Sequence, residues 1–274
     1  MIPYPRFDPV IVQIGPLALR WYGLMYLLGF LASFFLVRLQ IREECGSDPG
    51  CRQEQYALLD GLLAALIIGV IVGGRLGYVL FYNLGYFMEH PLEIPATWHG
   101  GMSFHGGAAG ALVAGWLYCR MRGQEFLRWA DRVIVTVPIG LGLGRIGNFI
   151  NGELYGRPAD PDTVPWAMIF PDGGLVPRHP SQLYEAFLEG LVMFFILWPL
   201  RKRPWPPGRK AALFFMLYGL FRFLVEFFRE PDPQIGFIAF GWLTMGQLLS
   251  AVLIAAAAAF WFWCGTREKA GPGA

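Results

Sequence analysis

Charge is scarce in this 274-residue chain: Asp, Glu, Lys and Arg make up 15% of it, against 55% hydrophobic residues. An average soluble domain is about 25% charged, so the balance points to an integral membrane protein. The chain lacks any long basic patch and its net charge is only +2, which excludes nucleic acid as a natural partner. It also lacks a basic n-region followed by an apolar core, because Pro3, Pro5, Asp8, Pro9 and Pro16 interrupt the start. We therefore expect no cleavable signal peptide. Cysteine is sparse, with four in the chain. Cys45 and Cys51 have no second pair nearby, a poor zinc pattern. Gly142, Gly144 and Gly147 spell GxGxxG, but no strand precedes them and no helix follows for a dinucleotide to cap, so the match is accidental.

What the chain does have is long apolar runs. A helical span needs about 20 mostly apolar residues, and seven stretches qualify: 18–38, 57–82, 103–119, 130–150, 182–200, 211–228 and 242–264. They are too long and too uniformly apolar for barrel strands, which alternate in polarity over about ten residues. The expected fold is an all-α integral membrane protein with seven transmembrane helices, and residues 1–274 form a single polytopic membrane domain.

Lys and Arg set the expected orientation, since they flank the cytoplasmic ends of spans. One set of connections holds Arg38, Arg42, Arg52, Arg120, Arg122, Arg128, Arg132, Arg201, Lys202, Arg203, Arg209, Lys210, Arg267 and Lys269. The other holds only Arg6, Arg157, Arg178 and Arg229. The N-terminus is thus expected outside (periplasmic) and the C-terminus cytoplasmic. Residues 151–181, rich in Pro, Asp and Gly, suit an ordered outer loop cap. All four cysteines then face a reducing compartment, and we expect no structural disulfide. Gly69, Gly73 and Gly77, Gly106 and Gly110, and Gly140 and Gly144 recur at the four-residue spacing that lets helices approach closely.

Against this apolar background, polar residues inside spans stand out. An ionisable residue near the bilayer centre costs roughly 2.5 to 3.5 kcal/mol on insertion scales, so a chain that keeps several normally uses them. The stretch GRIGNFINGELYGR, residues 144–157, sets Arg145, Asn148, Asn151 and Glu153 at the end of a long apolar run. Arg222 and Glu226 lie one helical turn apart and can pair, yet a paired Arg still has donors for an anion. Arg75 is open between a structural partner and an anion contact. His99 and His105 bracket HGGMSFHGG, but their spacing does not put both on one helix face, and His179 or Glu153 would have to complete a metal set. A metal site is therefore disfavoured. His99 and His179 read as interfacial, whereas His105, flanked by glycines, suits a proton acceptor. With the orientation above, Tyr22, Arg75, His105, the Arg145 cluster and the Arg222 pair all fall at the outer ends of their spans. Such convergence argues for a site opening to the outer leaflet. Guanidinium forks bind phosphate bidentately, so an anionic phospholipid headgroup is the natural ligand.

At these residues the chain resembles the bacterial prolipoprotein diacylglyceryl transferase family over nearly its whole length. GRIGNFINGELYGR is joined, in the family's order, by LRWYGLMYLLGF at 19–30, GGRLGYVLFYN at 73–83, HGGMSFHGG at 99–107, RHPSQLYE at 178–185 and FRFLVEFFREPD at 221–232. The resemblance implies transfer of a diacylglyceryl group from phosphatidylglycerol to the lipobox cysteine thiol of a prolipoprotein, releasing glycerol 1-phosphate. It implies a cell inner membrane location and no cofactor. The family's important positions correspond here to Tyr22, His105, Arg145, Asn148, Asn151, Glu153, Gly156, Arg222 and Glu226. On this expectation His105, Arg145 and Arg222 are catalytic. Tyr22, Arg75, Asn148, Asn151, Glu153, Gly156 and Glu226 hold substrate, with the role of Glu153 open between organising the loop and accepting a proton. The alternatives are an anionic-lipid transporter or flippase, for which the cytoplasmic halves lack matching buried charges, and a chelator-sensitive intramembrane metallohydrolase.

Overall fold

The computed structural model describes residues 2–5, 7–15, 17–97, 100–231 and 236–269. Arg6, Pro16, His99 and Asp232, which enter the readings above, lie outside the described residues.

Helices dominate. In chain order they are α1 (Trp21–Cys45), α2 (Pro49–Phe81), α3 (Leu84–Glu89), α4 (Phe104–Met121), α5 (Phe126–Ile134), α6 (Val137–Asn151), α7 (Ser181–Glu185), α8 (Met193–Leu200), α9 (Arg209–Val225) and α10 (Met245–Lys269). A π-helical segment, Ala186–Val192, joins α7 to α8. Among the described residues, four helical runs are long and apolar enough to cross a membrane: Trp21–Cys45, Pro49–Phe81, Ser181–Leu200 and Met245–Arg267. A fifth follows if α5 and α6 make one span. The chain is thus an all-α multi-pass membrane protein. The 130–150 stretch is not one straight helix, because α5 and α6 meet at a bend of 46°. Pro138, with no N–H to give, sits in the first turn of α6, and the Thr136 hydroxyl donates back to the Val133 carbonyl at 2.6 Å. Four glycines, His105 and Arg120 dilute the apolarity of α4, and α9 is only 17 residues long.

Two short antiparallel strand pairs accompany the helices among the described residues: β1 (Val10–Ile14) with β2 (Leu17–Arg20), and β3 (Phe237–Ala239) with β4 (Leu243–Thr244).

The chain divides into two compact units, residues 38–129 and residues 1–37 with 130–274. In the first, α2 and α4 meet glycine to glycine. A Cβ on Gly73 would lie 2.7 Å from the Gly110 Cα, and one on Gly77 2.8 Å from the Gly106 Cα. The helices are well capped: Asp48 accepts from Gly50 N at 2.8 Å ahead of Pro49 in α2, and Ser103 accepts from Gly106 N at 3.2 Å in α4. Here one expectation is corrected. Cys45 and Cys51 form a disulfide, because the turn between α1 and α2 brings their Cα atoms to 5.7 Å, inside the bonding range. Cys119 and Cys264 are free and buried.

In the second unit the core is Val135, Met193, Leu197, Phe214 and Phe221. Asp131 on α5 aims α9 by accepting from Gly208 N and Ala211 N, both at 2.9 Å. Small residues again set close approaches. A Cβ on Gly29 would lie 2.9 Å from the Gly140 Cα, and one on Gly142 3.1 Å from the Gly190 Cα. The GxGxxG glycines therefore serve helix contacts, with Gly147 backing onto Tyr22.

Candidate functional site: a buried arginine and glutamate node

The last turn of α6 ends at Gly152, whose φ of 72° closes the helix in the left-handed region that glycine tolerates. Leu154 follows at φ 57°, a conformation unusual for a branched side chain and frequent at functional sites. Between these two turns, Glu153 points back at the helix. Its Oε1 accepts from Asn148 Nδ2 at 2.8 Å and from Asn151 Nδ2 at 3.2 Å. Gln182 fixes the same residue from α7, donating Nε2 to the Glu153 carbonyl at 2.6 Å. Three residues singled out from the sequence thus form one hydrogen-bonded group.

Deeper in the unit lies the node itself. Glu185, fully buried, receives Arg145 Nε at 2.7 Å from α6. The same carboxylate receives Arg222 Nη1 at 3.1 Å from α9 and Arg229 Nη1 at 3.0 Å from just beyond it. Glu226 is the second anchor, 3.1 Å from Arg222 Nη2 and 3.5 Å from Arg229 Nε. It also accepts the Thr244 hydroxyl at 3.1 Å. Thr244 can do this because α10 opens with a reciprocal cap: Gln247 N donates to Thr244 Oγ1, and Thr244 N to Gln247 Oε1. Glu189, also fully buried, stands 3.8 Å from Arg145 Nη2. Arg145 remains 21% exposed at its side chain, so its planar fork is held from behind while one side stays open. Such an array presents preorganised positive donors, which suits an anion.

The segment after Gly152 is tied to the node. Gly156 N donates to the His179 carbonyl at 2.8 Å, and Gly156 bridges to Arg229. A Cβ there would collide with the Phe228 carbonyl and lie 2.9 Å from His179 Cβ, so only glycine fits. Arg157 donates to the Arg229 carbonyl at 2.6 Å and the Glu226 carbonyl at 3.1 Å. Near the start of α1, Tyr22 and Tyr26 share a hydroxyl contact of 3.0 Å, with the Tyr22 ring against Gly147.

Arg75 and His105 belong to the 38–129 unit. Arg75 is buried, and its guanidinium donates to the carbonyls of Ile94 and Gly100 at 2.6 Å, Glu93 at 2.7 Å, Gly101 at 3.1 Å and Ala96 at 3.3 Å. Its face lies 4.9 Å from the Phe87 ring. Every nitrogen is thereby used in holding Glu93, Ile94, Ala96, Gly100 and Gly101. His105 lies exposed in the first turn of α4, its ring edge-on to Phe104. His179 sits in the 151–181 segment with Nδ1 3.1 Å from the Tyr184 hydroxyl, which in turn accepts from Trp166 Nε1 at 2.6 Å. Burial lowers the His179 pKa below its ordinary value.

Comparison with known proteins decides what carries this arrangement. The family model for prolipoprotein diacylglyceryl transferase matches residues 9–263. The chain belongs to that family. It is 53% identical over 269 residues to the phosphatidylglycerol-prolipoprotein diacylglyceryl transferase of Desulfotalea psychrophila, covering 94% of each chain. The enzyme of the same name from Nitratidesulfovibrio vulgaris is 53% identical over 249 residues, covering 91% of each. That of Pseudomonas aeruginosa strain PAO1 is 48% identical over 272 residues, covering 99% of each.

Within this family member, sequence reasoning missed Glu185, Glu189 and Arg229. The signal existed for the first two, since SQLYEAFLEG holds two carboxylates four residues apart at the start of an apolar run, and intramembrane acids are costly. Arg229 lay just past the sixth expected span and read as a loop charge. Only the fold returns it to Glu185.

Proposed function

We propose that this chain transfers the diacylglyceryl group of phosphatidylglycerol to the cysteine thiol of a prolipoprotein lipobox, forming a thioether and releasing glycerol 1-phosphate. The observation that carries this reading is the convergence of Arg145 and Arg222, from two different helices, on the single buried carboxylate of Glu185 in a member of this family. It is the activity named for the relatives above.

The reaction is a displacement at the glycerol carbon that bears the phosphate. Sulfur forms the new bond to that carbon, the carbon to oxygen bond breaks, and its electron pair leaves on the phosphate oxygen. A thiol with an ordinary pKa of about 8.5 is mostly protonated at neutral pH, so a base must take its proton. His105 is assigned that role on its motif and on imidazole chemistry. Arg145 and Arg222 stabilise the charge that develops on the leaving phosphate. Asn148, Asn151 and Tyr22 orient the headgroup, Glu153 aligns the two asparagines, and Glu226 fixes Arg222. Gly156 keeps the 151–181 segment against the node. Arg75 acts through the loop it organises.

In this reading the chain crosses the cell inner membrane seven times, with its N-terminus periplasmic, its C-terminus cytoplasmic and the site open toward the outer leaflet. The distribution of Lys and Arg supports it. The test is purified protein with labelled phosphatidylglycerol and a lipobox peptide, read by mass for the thioether. Wild-type protein gives lipidated peptide and Arg145→Ala does not. Absence of product from the wild type, or lipid scrambling without product, overturns the assignment.

A further inference from the structure

The node contains three carboxylates, and they are not equivalent. Glu185 is met by three arginines at 2.7 to 3.1 Å. Glu226 is met by two arginines and a hydroxyl. Glu189 is fully buried, yet neither of its oxygens has a hydrogen-bond partner among the described residues. It pairs with Arg145 Nη2 at 3.8 Å, beyond hydrogen-bond length. A buried carboxylate held this loosely is costly, since desolvation is repaid only by close pairing and satisfied lone pairs.

The backbone explains how the position persists. Glu189 lies in the π-helical segment, and its neighbour Gly190 approaches α6 so closely that a Cβ there would lie 2.6 Å from the Gly142 Cα. Gly142 is one turn before Arg145. Glycine packing thus presses the carboxylate toward Arg145 without supplying donors to it, and π-helical turns recur at functional sites. The charged and titratable groups that face Glu189 are Glu185 on the turn before it, Arg145 from α6, Tyr218 and Arg222 from α9, and Arg229 beyond α9. Among Arg145, Arg222, Arg229, Glu185, Glu189 and Glu226 the formal charges cancel, so a further anion at Arg145 leaves the node with one negative charge in excess.

We propose that Glu189 is a displaceable counter-ion of Arg145: the phosphate group of the lipid substrate takes its place on the guanidinium, and Glu189 binds one proton from solvent as the phosphate docks. The idea rests on the phosphate-site reading above and makes Glu189 a positioning residue, acting through Arg145 on the headgroup. Of the three carboxylates it alone has no hydrogen bond to either oxygen, whereas Glu185 is hydrogen-bonded by Arg222 and Arg229 and Glu226 by the Thr244 hydroxyl, so it is the one free to swing off its cation. Its neutralisation restores the charge balance that the incoming phosphate disturbs.

The test uses the full chain in nanodiscs of zwitterionic lipid and glycerophosphoglycerol, the deacylated headgroup, as probe. This phosphodiester lacks the second ionisation near pH 6 of a monoester, so any proton taken up comes to the protein. Calorimetry in two buffers of different ionisation enthalpy should show uptake of about one proton per phosphodiester bound, and affinity should rise on acidification by up to about tenfold per pH unit. Glu189→Gln should bind the probe at least as tightly at neutral pH, with no uptake and a flat pH profile. An inorganic phosphate arm separates a headgroup site from a free-phosphate site: the wild type prefers the diester. Binding by the wild type without proton uptake overturns the proposal, as does a Glu189→Gln variant that keeps the slope. If the wild type binds no phosphodiester, the phosphate site itself falls and the proposal with it.

Discussion

Arg145 Nε and Glu185 Oε2 stand 2.7 Å apart, and the Glu185 side chain is wholly buried. Because Arg222 and Arg229 share that carboxylate, removing it leaves those two with Glu226 alone and Arg145 with only Glu189 at 3.8 Å. Breaking a buried pair by deleting one partner typically costs about 3 to 5 kcal/mol. Glu185→Ala should therefore lower thermal stability sharply and abolish transfer. Glu185→Gln, which keeps the shape and one acceptor, should fold better and remain deficient in transfer. Thermal unfolding in detergent together with the peptide lipidation assay checks both.

The cap at the start of α10 reaches into the node through one hydroxyl. Thr244→Val keeps the side-chain shape but removes the acceptor for Gln247 N and the donor to Glu226. Losing a helix cap costs about 1 kcal/mol, and Glu226 is left less fixed beneath Arg222. The expected outcome is a small loss of stability with a larger loss of kcat. A fall in stability with unchanged kcat would remove Thr244 from the support of the node.

The sequence makes the arginines of the node easier to see than its glutamates. Arg145, Arg222 and Asn148 interrupt apolar runs, and an interruption of that kind is visible without a fold. Glu185 is the last residue of RHPSQLYE, and before the fold is known it looks like the polar entry to a span. It is buried under arginines that arrive from α6 and from beyond α9, contacts that only the fold makes, and no periodicity in AFLEGLV announces the π-helix that follows it. The glycine spacing of α2 and α4 was legible because a four-residue repeat of small side chains has one obvious use, close helix contact. The 46° bend and the Cys45–Cys51 disulfide were not: both turn on local geometry at a chain reversal or break, where hydropathy carries no information.

Acidity should act on the 151–181 segment through His179. Burial depresses its pKa, so the folded protein holds fewer protons than the unfolded chain as pH falls below the ordinary value of 6.5. The stability this neutral histidine contributes is fully present above that value and is lost as pH falls through it toward the lower folded value. The melting temperature should therefore drop between about pH 7.5 and pH 5.5, and His179→Phe should drop less. Equal slopes in the two proteins would assign the acid sensitivity to other groups.

Gly156 is a packing requirement of the candidate site. With Phe228 and His179 pressed against its Cα, Gly156→Ala must push the 151–181 segment away from Arg229. Overpacking of this kind costs about 1 to 3 kcal/mol, and Arg157, which holds the Glu226 and Arg229 carbonyls, moves with it. Transfer activity should fall further than stability does. Hydrogen exchange should be faster at Gly156 N and Arg157 N, whose partners are the His179 and Phe228 carbonyls.

Arg75 separates a loop-holding role from direct contact with the headgroup. Its five carbonyl partners need a planar fork with donors in several directions, and a lysine offers one compact ammonium. Arg75→Lys keeps the charge, so a residue that merely attracts anions would tolerate it. Hydrogen bonds from a charged donor contribute about 1.5 to 3 kcal/mol each, and losing even one or two should loosen Glu93, Ile94 and Ala96. The expected result is rapid amide exchange at Glu93, Ile94 and Ala96, a lower melting temperature, and unchanged affinity for glycerophosphoglycerol. A variant that kept the loop protected but lost affinity for the headgroup would return Arg75 to the list of phosphate ligands.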